Sequence, residues 1–384
     1  MNCTKIIQRD NSAVADKAVG EAPRVVESID SVDAEGTLTN YKKVVDINMT
    51  LSLKERHKVV HYGLSSADLE DVEKKLKRQR DFLKFSYLYD RINQNAIPLG
   101  DLLISANHSP DRYYAEIQNR VNTLTTVARQ RNLKPLFMTL TLPSEYHQHK
   151  ILQRQGVPDR LIPNPKYNGT PAKEAVKVLT KMFAKLRHDR SLKELSKEQR
   201  IYFRVNEPHK DGTPHTHILM FVPQERIERV KKAFKRLFDE RANDIQDDIE
   251  DATAYVMKYI NKMLPLSKQQ NLSEKEQYLN AWYSKHRIIR FNSSRTLAPL
   301  GIYRILHHKY SLYALTKLLN DNHFTIYLNV DTRQIMEIIN EWGEEVYMRS
   351  SNFDVVTASN RRNYRADYFQ NNSQTSESAI GMPR

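Results

Sequence analysis

Between Ile201 and Val222 the chain turns back on itself, and this reversal constrains the fold more than any other feature. Ile201 to Val205 and His215 to Val222 are rich in β-branched and large apolar residues and read as strands, with Asp211-Gly212 marking the turn between them. Residues i and i+2 of a strand share a face, so His215 and His217 point the same way. Glu207 joins that face only if the hairpin loop holds an odd number of residues. Pairing His209 with His215 predicts such a loop and leaves Pro214 where no ladder donor is lost.

Two imidazoles and a carboxylate on one sheet face form a ligand set that leaves positions free for water and phosphate oxygens. Mixed nitrogen and oxygen donors suit Mg or Mn. Glu207, His215 and His217 are therefore the metal candidates, with His209 an alternative to Glu207. His147-Gln148-His149 repeats the spacing in a polar stretch with no neighbouring acid, and reads as surface.

A second constellation lies in Asp251-Ala252-Thr253-Ala254-Tyr255-Val256-Met257-Lys258-Tyr259-Ile260-Asn261-Lys262. On a helix, Tyr255 and Tyr259 stand one turn apart on one face, and Lys258 and Lys262 each follow a tyrosine by three residues. A phenol with a pKa near 10 is a poor nucleophile at neutral pH unless a cation or a polarised target assists it. Tyr255 and Tyr259 are the candidate nucleophiles, and the two lysines are candidate partners for phenolate or phosphate.

Around these motifs strands and helices mix, with a hairpin in the middle, which predicts an α+β fold on a central antiparallel sheet flanked by helices. Thr alternates with apolar residues in Leu136 to Leu142, the pattern of a half-buried strand, and a Pro-rich connection follows. Helices are expected from Thr170-Pro171 to His188, from Gln224 to Arg241 and from Asp247 to Leu264, with a short strand at Arg287 to Phe291. The domain reading is a disordered segment 1–44, a helical region 45–130, a core 131–310, a helical C-terminal subdomain 311–349 and a flexible tail 350–384.

The net charge of +14 on 384 residues favours a polyanionic partner. Lys173, Lys177, Lys181 and Lys185 recur every fourth residue, either as a solvated helix face or as a rail for phosphates. Lys173 and Lys177 are counted as DNA-binding candidates. No apolar run is long enough to span a membrane. A single cysteine, Cys3, rules out an internal disulfide framework. No glycine precedes a lysine, so the phosphate loop of a nucleotide-driven motor is missing and no nucleotide cofactor is expected.

In chain order, these segments resemble the HUH endonucleases, and most closely the bacteriophage replication gene A protein family. Phe137-Met138-Thr139-Leu140-Thr141 is similar to the first family motif, Glu207 through His217 to the metal motif, and Tyr255 through Lys262 to the two-tyrosine motif. Arg287 to Phe291, continuing through Ser294-Arg295 to Pro299 and Tyr303, is also similar to this family, making Arg290 and Arg295 DNA-binding candidates. Thr216 departs from the pattern, which places a bulky apolar residue between the histidines; its side chain points off the metal face, so a change of packing is expected. The resemblance, over roughly 135–310, implies an HUH core with RRM-like architecture. It further implies rolling-circle initiation on single-stranded or supercoiled origin DNA, by metal-dependent transesterification through a 5′-phosphotyrosyl intermediate that frees a 3′-OH. Host helicase and polymerase would be partners in the bacterial cytoplasm. Alternatives are a transposase or mobilisation relaxase with the same core, or a non-catalytic DNA-binding regulator.

Overall fold

The computed structural model describes residues 6–9 and 58–357, apart from 92–93, 155–156, 265–271 and 350–352. The expectations for 1–44 and for the tail 350–384 thus fall largely outside the described residues. The chain begins with β1 (Ile6–Arg9), β2 (Val59–His61), β3 (Leu64–Ser65), α1 (Ser66–Lys84), β4 (Tyr87–Asp90), β5 (Asn95–Pro98) and α2 (Pro110–Gln130). The central part holds β6 (Leu133–Thr141), β7 (His149–Arg154), β8 (Val157–Pro163), α3 (Ala172–Arg187), β9 (Ile201–Pro208), β10 (Pro214–Pro223), α4 (Ile227–Leu237), β11 (Asp244–Gln246) and α5 (Ala252–Met263). Then follow α6 (Glu274–His286), β12 (Phe291–Ser293), α7 (Leu300–Leu306), α8 (Leu312–Asn320), β13 (Phe324–Asn329), β14 (Ile335–Asn340), β15 (Glu345–Met348) and β16 (Phe353–Val356).

The main sheet has five antiparallel strands in the order β11-β6-β10-β9-β12. Strand β10 is buried along its whole length, as a strand flanked on both edges and covered on both faces must be. Alternation sorts its side chains. Leu219 and Phe221, with Phe137, Phe203 and Val205, pack against Val121 and Leu124 of α2 and Val256 and Ile260 of α5. Ile218, Met220 and Val222, with Leu136, Met138 and Leu140, pack against Leu179 and Phe183 of α3 and Val230 and Phe234 of α4. Helices cover both faces. Each fully buried Leu, Ile or Phe contributes about 1.5–3 kcal/mol, so these two layers dominate the stability of the domain. Among the described residues, no helix is long and apolar enough to cross a membrane.

Strand β6 keeps its expected alternation: Thr139 and Thr141 are partly exposed beside the two histidines, while Met138 and Leu140 are buried. Several other expectations need correction. The Pro-rich connection contains a hairpin, β7–β8. The region 45–130 has its helices, α1 and α2, but also the hairpin β4–β5. The region 311–349 is helical only in α8; β13, β14 and β15 fill the rest and form a second sheet in which β13 pairs with β1. The physical cause is alternation: the buried Phe324 and Ile326 are each followed by a more exposed residue, Thr325 and Tyr327, and Asn340 closes the next turn by accepting the amides of Trp342 and Glu344. Within the expected tail, Phe353–Val356 pairs with β4 as an edge strand.

The tip of the β9–β10 hairpin is fixed from outside. Gly212 has φ +87° and Gly63, in the β2–β3 turn, has φ +70°. The two glycines lie against one another: a Cβ on Gly63 would sit 2.6 Å from the Asp211 carbonyl oxygen, and one on Gly212 would collide with the Tyr62 carbonyl. Trp282 Nε1 donates to the Gly212 carbonyl at 3.0 Å and completes the clamp. Gly212→Ala should destabilise the chain by about 2–4 kcal/mol, combining left-handed strain with overpacking. Gly301, exposed on α7 with nothing near its Cβ position, is the control: Gly301→Ala should melt at or above the wild-type temperature. Equal melting temperatures for Gly212→Ala and wild type would disprove the clamp.

Candidate active site

The hairpin register sets the site. His215 lies opposite Glu207, and His217 opposite Val205 on one side and Thr139 on the other. Pro214 pairs with Pro208, so the loop is 209–213 and the expected pairing of His209 with His215 is displaced. The loop length is still odd, and Glu207 therefore faces the histidines. Inside the loop, the Gly212 amide donates to the His209 carbonyl at 2.9 Å and the His209 amide to the Thr213 carbonyl at 2.8 Å.

Glu207, His215 and His217 are each less than a tenth exposed, and their donor atoms all lie within 4.8 Å of one another. His215 Nε2 is 3.0 Å from His217 Nε2, and Glu207 Oε2 is 3.3 Å from His217 Nε2 and 3.8 Å from His215 Nε2. Burial holds the His217 imidazole down at about 4. Burial also pushes His215 well below the ordinary imidazole range, helped by His209, His217 and His147 around it. Both rings are therefore neutral at physiological pH, with lone pairs able to ligate. Thr139 Oγ1 sits 3.1 Å from His217 Nδ1, where it can accept that N–H and leave Nε2 free. Convergent neutral imidazoles beside one buried carboxylate fit a divalent cation. His209 does not join the set. Its ring lies tilted against that of His215 at 4.1 Å, and its Nε2 is buried without a hydrogen-bond partner.

Helix α5 brings the tyrosines to this cluster. Asp251 caps it by accepting the amides of Thr253 and Ala254, and Val256, Ile260 and Met263 bury its inner face. Thr253 and Asn261 bind Thr125 and Tyr114 of α2 at 3.1 and 2.8 Å, which fixes the rotation of the helix. The Tyr259 ring lies 4.2 Å from the His217 ring. Phe137 contacts all three aromatic partners, at 4.5 Å from Tyr255, 5.3 Å from Tyr259 and 5.6 Å from His217. Tyr255 stands one turn earlier, its hydroxyl 3.5 Å from Gln246 Oε1 on the edge strand β11. Burial, reinforced by Tyr255 and Asp244, raises the Tyr259 phenol to about 12. The protein alone thus keeps this oxygen protonated. Lys262 is ion-paired with Glu207, tying the tyrosine helix to the carboxylate, while Lys258 is exposed.

The other candidates separate. Arg290 is buried, its guanidinium over the Tyr283 ring at 4.0 Å and hydrogen-bonded to the Met263 carbonyl at 2.5 Å and to Asn280. It locks the C-terminal end of α5 onto α6, where a cation also meets the helix dipole. It is a positioning residue and has no face free for DNA. The neighbouring Ile289 is 65% exposed, an inversion of the usual apolar-inside rule that hydrophobicity could not signal. Arg295 is exposed at the rim of a cavity beyond β12. Lys173 and Lys177 are exposed on α3, which covers the sheet face opposite the histidines, and Lys177 is paired with Glu174 at 2.8 Å. They do not reach the site. His147, read as surface, is only partly exposed and binds Asp211 at 3.0 Å. Thr216, the departure between the histidines, donates to Asn206 Oδ1 at 2.8 Å, and Asn206 Nδ2 donates to the Ile289 carbonyl at 2.8 Å. Sequence reasoning did not pick out Thr139, Phe137 and Gln246 as neighbours of the site. For Thr139 the signal was there: it alternates onto the same face as Phe137.

Comparison with known proteins supplies a context for this geometry. A family model described as bacteriophage replication gene A protein matches residues 40–265, more than half of the chain. The replication gene A protein of Escherichia phage 186 is 28% identical over 313 residues, covering 74% of this chain and 43% of its own length. The replication protein of Haemophilus phage HP1 is 28% identical over 216 residues, 52% of this chain and 26% of its own. A probable replication endonuclease from a prophage-like region of Salmonella typhi is 26% identical over 245 residues, 56% of this chain and 29% of its own. The chain spans less than half the length of these relatives. No solved structure matches it. The matched residues contain both the histidine hairpin and the tyrosine helix, and the chain belongs to the bacteriophage replication gene A protein family.

Proposed function

We propose that this chain initiates DNA replication as a strand-nicking endonuclease, with residues 131–310 forming an HUH-type core and Tyr259 acting as the first nucleophile. The observation that carries the reading is the 4.2 Å contact between the Tyr259 and His217 rings, which sets a phenol beside a convergent donor set. The names of the phage and prophage relatives, replication proteins and replication endonucleases, agree with it.

In this reading Glu207, His215 and His217 would hold a divalent ion, Mg or Mn, which would polarise the scissile phosphate and lower the cost of removing the phenolic proton. Tyr259 Oη attacks phosphorus, an Oη–P bond forms and the P–O3′ bond breaks. The phenolic proton is balanced by the one gained at the leaving 3′-oxygen. The products are a 5′-phosphotyrosyl chain and a free 3′-OH for a host polymerase. Phe137 excludes water from one side of the reacting tyrosine, and Arg290 holds the helix that carries it. Tyr255, one turn away on the same face, supplies a second nucleophile, so that cutting a regenerated origin and joining the ends can alternate between the two. This is rolling-circle chemistry in the bacterial cytoplasm, with strand separation left to supercoiling or a host helicase.

Incubation with labelled single-stranded origin DNA and Mn, resolved on denaturing gels, should give a covalent protein–DNA adduct. Tyr259→Phe should reduce it by at least about 10³-fold, while Tyr255→Phe should still nick but fail to rejoin. An undiminished adduct in the double Tyr→Phe variant excludes both nucleophiles. Replacing His215 and His217 together by Ala should cut nicking by at least about 10²-fold and abolish Mn binding seen calorimetrically, with salt-sensitive DNA binding largely kept. Nicking that persists in a chelator would remove the metal from the mechanism.

A further inference from the structure

Beyond β12, on the α2 side of the sheet, lies a cavity of about 480 Å³ lined by Arg120, Arg295, Leu297, Ile302, Leu319 and Ile326, among others. Its chemistry is unbalanced. Arg120 uses Nε to bind Ser293 Oγ at 2.8 Å, but its Nη1 is buried with no hydrogen-bond partner. The nearby carboxylate, Glu116, is already taken by Arg304 in a two-pronged pair at 2.7 and 2.9 Å. Arg295 stands exposed beside Arg120 in the cavity lining. A guanidinium cannot relieve its burial by losing a proton, so an unmatched one favours capture of an anion. The guanidinium fork matches phosphate oxygens. Apart from Asn320 the remaining walls are aliphatic, and together they suit the sugar and base attached to such a phosphate. Helix α8 and strand β13 supply Leu319 and Ile326, which gives the C-terminal subdomain a part in forming the site.

We propose that this cavity is a nucleotide subsite, in which Arg120 and Arg295 hold one phosphate and the aliphatic wall takes the attached nucleoside. The subsite rests on the reading of DNA as substrate only in its source: the phosphate belongs either to the bound strand or to a free nucleotide. Its position supports the strand. Arg120 lies on α2, the helix bonded to the tyrosine helix through Thr125 and Tyr114, and Ser293 pairs with Phe203 two residues along β9 from Val205, the partner of His217. The cavity and the tyrosine helix are thus joined through α2 and β9.

The test uses the full chain, a labelled single-stranded oligonucleotide of mixed sequence, and fluorescence anisotropy over a series of KCl concentrations. Arg295→Gln and Arg120→Gln should each weaken binding by about 5–10-fold and flatten the logarithmic salt dependence by about 0.7, the slope carried by one phosphate contact on a single strand. The double variant should lose less than the sum, because both side chains serve one phosphate. Arg295 is exposed, so its variant should melt like wild type and stays informative even if Arg120→Gln unfolds. A parallel thermal-shift arm with a deoxynucleoside monophosphate separates the sources. Stabilisation of wild type but not of Arg295→Gln, with unchanged oligonucleotide binding, assigns the site to free nucleotide; the reverse assigns it to the strand. Unchanged affinity, salt slope and nucleotide stabilisation in Arg295→Gln overturns the proposal. Adduct formation is read separately: a wild type that binds with a full salt slope but never forms an adduct defeats the nicking reading and leaves this one standing.

Discussion

The register of β10 against β9 is the constraint on which the rest of the site depends. A slip by one residue would turn His215 and His217 towards α3 and α4 and bring Thr216 to the tyrosines, because strand side chains alternate strictly. Three features oppose the slip. The loop 209–213 is closed by its own backbone hydrogen bonds, Gly212 is wedged against Gly63, and the indole of Trp282 holds the Gly212 carbonyl. Segments far apart in sequence thus converge on one turn, and what they protect is the parity that makes three donors meet.

Burial then gives the cluster its electrostatic character. Water-poor surroundings keep His215 and His217 neutral, which suits cation binding, and the same surroundings raise the Tyr259 phenol to about 12, which opposes nucleophilicity. The two effects share one cause. A positive charge at the donor set would favour the phenolate that burial disfavours, while using the neutral imidazoles that burial provides. Lys262 supplies a counter-charge to Glu207 and sits on the same helix as the tyrosines.

Much of this was legible in the sequence, for reasons of period. The i, i+2 histidines and the i, i+4 tyrosines each obey the repeat of the element that carries them, and the odd loop placed Glu207 correctly although the assumed pairing was displaced. Arg290 was misjudged because its neighbour Ile289 is the residue turned outward, and only tertiary contacts reveal which of two adjacent side chains faces in. The strands of 324–348 escaped because they are short and their apolar residues also satisfy a helical spacing. The basic row of α3 has a real period but lies on the far side of the sheet, and a single chain read end to end says nothing about which helix covers which face.

The hydrogen bond between Thr216 and Asn206 ties two neighbouring strands at the position between the two histidines. An aliphatic residue placed at 216 alone strands the Asn206 carboxamide oxygen in a dry interior, at a cost of about 1–3 kcal/mol. The Asn206 amide nitrogen is meanwhile committed to the backbone before Arg290. Drift between the polar and the apolar version of this interior therefore has to proceed through paired replacement, and a homologue aliphatic at the first position should carry a non-amide side chain at the second.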